Sequence, residues 1–189
     1  IRPPPRPTLF PYTTLFRSIS GKHHDGHSFL ESLYNVGVRV FIVERLPSEI
    51  SGFHGAAIIV TDNSVKALQL LAAHVRKTFR SPVIAVTGSA GKTIVKEWLA
   101  DILGMSVPVV RSPRSYNSQT GVPLSVLKLD GKYKYGIFEA GISLPGEMDR
   151  LKEIIEPDIG IITNIGYAHS ENFSSIEEKS AEKLRLVDD

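Results

Sequence analysis

An α/β fold with a mostly parallel sheet and flanking helices is what this sequence predicts, and three observations predict it. The apolar run Val83–Val86 passes directly into a glycine-bearing loop, Thr87-Gly88-Ser89-Ala90-Gly91-Lys92-Thr93, and then into an amphipathic stretch. From Pro82 onward, short β-branched runs alternate with helical patterns, which argues for parallel strands joined by crossover helices. The preceding residues, 19–80, repeat that alternation on a smaller scale.

The chain has 189 residues, 42% hydrophobic and 22% charged, with a formal net charge of +2. These values fit an ordinary globular protein and argue against a nucleic-acid surface. There is no cysteine, so neither a disulfide framework nor a thiolate site is available. No apolar run approaches bilayer-spanning length. A cytoplasmic monomer is expected, with no nucleic-acid partner and no membrane span.

Residues 1–18 stand apart. They hold five of the 12 prolines and three arginines without an acid, leaving 19 basic and 20 acidic side chains for the rest. Proline at that density opposes both helix and sheet. The stretch lacks the continuous apolar core of a secretory signal. A proline-rich recognition segment is one reading. The preferred one is translated sequencing adapter joined to a truncated coding region, disordered and without function.

Residues 19–80 read as a small α/β unit. A short helix is expected over 28–34, ended by Gly37. Val38–Val43 and Ala56–Val60 have the length and composition of strands. Val65, Leu68, Leu71, Ala72, Val75 and Phe79 mark one face of a helix, capped by Asp62 or Ser64. Arg80-Ser81-Pro82 reads as the hinge to residues 81–189. The cluster Lys22-His23-His24-Asp25-Gly26-His27 suggests metal binding at first sight. Ligands so close in one loop rarely surround a single ion, however, so a polar turn near a ligand is preferred.

In the second part, strand 83–87 precedes helix 92–103, in which Ile94, Val95, Trp98, Leu99, Ile102 and Leu103 form the expected apolar face. Strand 107–110, a polar loop over 111–118 and a short helix at 120–127 follow. Then come strand 135–140, helix 146–155, strand 159–163 and helix 176–187. In such sheets, ligands bind beyond the carboxyl ends of the strands. Lys92, Thr93, Glu139, Asn164 and His169 should therefore converge on one edge.

The loop 87–93 has the layout of a phosphate cradle. Backbone N–H groups and a helix N-terminus face an anion, and glycines permit close approach. Gly88, Ser89, Ala90, Gly91, Lys92 and Thr93 are the expected nucleotide contacts, with Lys92 on the terminal phosphates and the Thr93 hydroxyl on Mg²⁺. Val86 occupies the position of the first glycine in the general motif. Glu139 could be a strand-end salt bridge; beside a phosphate loop, a Mg²⁺ ligand is the better reading. His169 alone would be a hydrogen-bonded loop histidine.

Five stretches together resemble the ATP-dependent Mur ligases of peptidoglycan synthesis, over about 19–189. They are His24-Asp25-Gly26-His27; the loop 87–93 with Val95-Lys96-Glu97; Asn117 ahead of Gly121-Val122-Pro123-Leu124; Glu139-Ala140-Gly141 with Gly146-Glu147; and Thr163-Asn164-Ile165-Gly166 with Ala168-His169. The turn at His24–His27 and the run Gly121–Leu124 favour the branch that adds D-alanyl-D-alanine to UDP-N-acetylmuramoyl-tripeptide. A tripeptide synthetase or folylpolyglutamate-type ligase, or a nucleotide-binding module without catalysis, are the alternatives.

The resemblance implies ATP and Mg²⁺, an acyl-phosphate intermediate, and a three-domain parent. Residues 19–80 would belong to the UDP-sugar domain and 81–189 to a partial ATP-binding domain. It further implies nucleotide contacts at Asn117 and Asn164. Glu139 and His169 match positions around a second metal. Lys183 matches a lysine carbamoylated by CO₂, which then serves catalysis and metal binding with Lys92 and His169; otherwise it is a solvated helix lysine. The family loop also lacks the first glycine, which accounts for Val86. Ser115, Ser118 and Ile94 depart from the family's usual residues. The run Arg111–Gln119 resembles a Bacteroidetes-type form fused to an alanine racemase.

Overall fold

The computed structural model describes residues 15–17, 25–47, 50–166 and 172–188. The chain divides into two compact units, Ile1–Ala67 and Leu68–Asp189.

In the first unit, β1 (Leu15–Arg17), β2 (Val40–Val43) and β3 (Ala57–Val60) form a parallel sheet in the order β1-β2-β3. Helix α1 spans Leu30–Asn35. Leu30, Val38, Phe41 and Val43 form a small core, against which Tyr34 and Phe53 pack. Strand β1 corrects the expectation of a featureless leader over its last residues. Leu15, Phe16 and Arg17 lie beyond the last proline of that stretch, Pro11, so every N–H there can join a ladder. The rest of 1–18 lies outside the described residues.

Asp25 caps a 3-10 turn, Gly26–Phe29, by accepting the His27 N–H at 3.0 Å. The His27 ring lies 2.7 Å from Asp25 through Nδ1, and Nε2 accepts the Glu44 N–H at 3.2 Å. The two ring nitrogens thus face different partners, Nδ1 the Asp25 carboxylate of the turn and Nε2 the Glu44 N–H beyond β2. His23 and His24 lie outside the described residues.

Helix α2 (Ser64–Thr78) begins at Asn63, whose Oδ1 accepts the Lys66 N–H at 2.8 Å. Asn63 therefore takes the capping role expected of Asp62 or Ser64. The Ser64 hydroxyl and N–H instead both engage Glu44. The division between units falls inside α2, because Ala72, and Phe79 just beyond the helix, belong to the second unit's core.

The second unit holds a four-stranded parallel sheet in the order β5-β6-β4-β7. Its strands are β4 (Val83–Thr87), β5 (Val109–Arg111), β6 (Tyr135–Glu139) and β7 (Ile159–Ile162). The connecting helices are α3 (Lys92–Gly104), α4 (Gly121–Val126) and α5 (Glu147–Ile155), and α6 (Ile176–Leu184) follows β7. Every residue of β4 is buried, as a central strand covered on both faces requires.

The pleat sorts its side chains. Val83 and Ala85 join Val122, Val126, Met148, Leu151 and Ile155 on one face; Ile84 and Val86 meet Ala100, with Val95, Leu99 and Leu103, on the other. The buried stripe of α3 is thus narrower than its apolar pattern. Val95, Leu99 and Leu103 pack on the sheet, whereas Ile94, Trp98 and Ile102 are 56%, 65% and 65% exposed. Buried Lys96 and Ala100 take the remaining sheet-side positions.

Candidate active site

The carboxyl ends of neighbouring β4 and β6 carry the site. After Thr87 the chain turns through Gly88, at φ +142°, where a Cβ would strike the Thr163 hydroxyl. Gly91, at φ +79°, is the left-handed residue from which α3 starts. Glycine is needed at both positions.

The segment after β7 braces this loop. Asn164 O accepts the Ser89 N–H and Asn164 Oδ1 accepts the Ala90 N–H, both at 2.9 Å. The Ser89 hydroxyl donates to Gly166 O at 3.0 Å and accepts the Gly166 N–H at 2.9 Å. Thr163 donates to Ala90 O at 2.5 Å. Asn164 therefore acts on the loop itself.

A cavity of about 270 Å³ opens at this edge, lined among others by Gly88, Ser89, Lys92, Asn117, Lys179 and Lys183. Lys92 Nζ donates to Gly88 O at 2.9 Å, and Lys183 reaches the same carbonyl at 3.2 Å. Lys179 Nζ donates to Gly166 O at 3.1 Å. Burial lowers the Lys183 pKa to about 8, helped by the charges of Lys92 and Lys179. Lys179 is lowered as well, by burial first and then by Lys92. Three lysines around one cleft suit a polyanion.

Glu139, at the end of β6, is 1% exposed. Its Oε2 accepts from the Thr93 hydroxyl at 2.8 Å, and its Oε1 accepts from Asn117 Nδ2 at 2.7 Å. A carboxylate and a hydroxyl side by side are hard oxygen donors of the kind Mg²⁺ prefers. Among the described residues no group of three His, Cys, Asp or Glu side chains could hold a metal. An ion here would therefore take the rest of its shell from phosphate oxygens and water, as Mg²⁺ commonly does. His169 lies outside the described residues.

Of the expected residues, Lys92, Thr93, Asn117, Glu139 and Lys183 gather around this edge, and Ala90, Gly91 and Asn164 shape the loop. Sequence reasoning missed Lys179. The available signal was its spacing of four before Lys183, which puts both on one helix face.

Strand, glycine turn and helix N-terminus, with a lysine and a threonine–carboxylate pair at the same edge, define a P-loop-type nucleotide-binding domain. Residues 86–189 match the model of the Mur ligase middle domain, and the chain belongs to the Mur ligase family.

Among its relatives, the UDP-N-acetylmuramoyl-tripeptide–D-alanyl-D-alanine ligase of Borreliella burgdorferi is 36% identical over 179 residues, which are 92% of this chain and 39% of that protein. The Bacillus subtilis enzyme of the same name is 34% identical, over 92% of this chain and 37% of its own length. A crystal structure of MurF from Acinetobacter baumannii superposes with a TM-score of 0.83 at 32% identity, covering 91% of this chain and 37% of that one. MurF from Thermotoga maritima in complex with ADP gives 0.81 at 31%, covering 92% and 39%. The chain thus spans well under half the length of these relatives.

Proposed function

We propose that this chain is the nucleotide-binding portion of an ATP-dependent ligase that adds D-alanyl-D-alanine to UDP-N-acetylmuramoyl-tripeptide in the cytoplasm. The observation that carries the reading is the convergence of the glycine loop, Lys92 and the Thr93–Glu139–Asn117 group on one strand edge. Relatives carrying that activity in their names, and an ADP complex of one of them, support it. Among the described residues no helix is long and apolar enough to cross a membrane. In this reading the first unit belongs to the UDP-sugar domain and the second, which begins within α2 rather than at Arg80-Ser81-Pro82, to the ATP domain, and the ligase is a monomer.

The N–H groups of Gly91, Lys92 and Thr93 at the start of α3 bind the phosphates of ATP, those of Ser89 and Ala90 being engaged by Asn164, and Lys92 swings from Gly88 O to the terminal phosphate. Thr93 and Glu139 hold Mg²⁺, which neutralises charge on the phosphoryl oxygens when bound. The γ-phosphoryl group passes to the tripeptide carboxylate, giving an acyl phosphate and ADP. The dipeptide amine then attacks the acyl carbon, phosphate leaves, and one amine proton is released. By the family resemblance, His169 and Glu139 would both serve a second metal ion. Lys183 would join them as a carbamate, formed when its neutral amine adds to CO₂ with loss of a proton. A pKa lowered to about 8 gives a larger neutral fraction near neutrality than an ordinary lysine has.

The test is phosphate release by the full-length parent protein with ATP, Mg²⁺, UDP-N-acetylmuramoyl-tripeptide and D-alanyl-D-alanine. Turnover is expected with all four present and is expected to vanish in Lys92→Ala. Activity retained by that variant overturns the phosphate-loop assignment, and no product from the wild type overturns the substrate assignment.

A further inference from the structure

Lys96 lies one turn beyond Thr93 on α3 and is fully buried. A lysine ammonium carries three donors and no acceptor, and its burial is costly unless they are met. Here they are. Ser112 O accepts at 2.9 Å, Arg114 O accepts, and a Glu97 carboxylate oxygen lies at 2.7 Å. The other Glu97 oxygen pairs with Arg111 Nε at 2.8 Å. Lys96 does not line the cleft.

What Lys96 holds is the segment Ser112–Asn117. Within it Arg114 has φ +51°, a left-handed conformation that costs a non-glycine residue energy and persists only where its surroundings enforce it. The carbonyl of that same residue is one of those Lys96 captures. Glu139 is touched from both sides of this turn: Ser112 Oγ accepts its N–H at 3.2 Å, and Asn117 donates to its carboxylate. Asn117 O also accepts the Gly141 N–H at 2.8 Å. Two residues of α3 therefore grip one unit. Thr93 holds the carboxylate, and Lys96 holds the turn that presents Asn117 to it.

We propose that Lys96 is a positioning residue for the Asn117–Glu139 pair, its buried ammonium fixing the strained turn at Arg114 and thereby setting how the carboxylate meets a divalent cation. The cation arm of this inference rests on the nucleotide reading given above; the placement of Asn117 does not.

ADP binding to the full chain is measured by calorimetry, with Mg²⁺ and with EDTA, for the wild type and for Lys96→Met, which keeps the stem and removes the donors. The expected result is ADP affinity weaker by about tenfold with Mg²⁺, the usual cost of losing an outer-shell partner, and unchanged affinity in EDTA. Equal weakening under both conditions, or none, overturns the coupling to the cation. Lys96→Gln, uncharged and one bond shorter, so that it cannot donate to both carbonyls as the ammonium does, replaces Lys96→Met if the latter does not fold, with a split expected in the same direction.

Amide exchange gives a readout without ligand. The Gly141 N–H should exchange about tenfold faster in the variant, because loosening Asn117 raises local opening, while amides of β4 keep their protection. Unchanged Gly141 exchange overturns the positioning role. If the wild type binds no ADP, the nucleotide reading falls, and the exchange measurement alone decides Lys96.

Discussion

Lys183 is a lysine whose surroundings oppose its charge. Its pKa falls from 10.5 to about 8, by burial and by the neighbouring charges of Lys92 and Lys179. Between those two values the unfolded chain holds a proton that the folded chain has released, so folding stability rises with pH across that window. Urea midpoints in CO₂-free buffer should therefore climb from pH 8 to pH 10 in the wild type, and the climb should flatten in Lys183→Met. Addition of ¹³C-bicarbonate should give a carbamate carbonyl resonance in the wild type that the same variant lacks. The glycine turn leading from β4 into α3 was legible from residue types alone, because Gly88 and Gly91 each answer a separate conformational demand. Lys96 and Lys179 were not. A lysine within a helical pattern reads as solvated until the packing of other elements shows what surrounds it, and both surroundings come from distant chain segments.

Among the elements, the helices and strands of the second unit lie close to where apolar periodicity puts them. The face each helix buries was less legible. The apolar pattern of α3 covers more of its circumference than the sheet can touch, so periodicity cannot distinguish Trp98 from Leu99. The difference is measurable. Leu151, fully buried on α5, should cost about 2–5 kcal/mol when replaced by alanine. Trp98→Ala, on the exposed side of α3, should change stability by no more than about 0.5 kcal/mol. Urea denaturation of both variants checks the assignment, and a large loss at Trp98 would reverse it. Strand β1 was illegible for another reason. Three residues carry no usable period, and only an available neighbour such as β2 makes them a strand.

For the molecule as a whole, nucleotide should act on one compact unit. Mg-ADP at a hundredfold excess over its Kd should stabilise the unit it binds by about 2.7 kcal/mol. Hydrogen exchange should slow at 87–93, 117–119 and 139–143, with β2 and β3 unchanged. Protection spread evenly over the chain would contradict binding at the β4–β6 edge. The order of the sheet has a further consequence, for biosynthesis. β4 leaves the ribosome before either of the strands that flank it, β6 and β7. Until those follow, five consecutive residues destined for the interior have no ladder to join. A nascent chain paused between Thr87 and Tyr135 would present a sticky, unzipped ribbon, and at that moment a ribosome-associated chaperone would matter most.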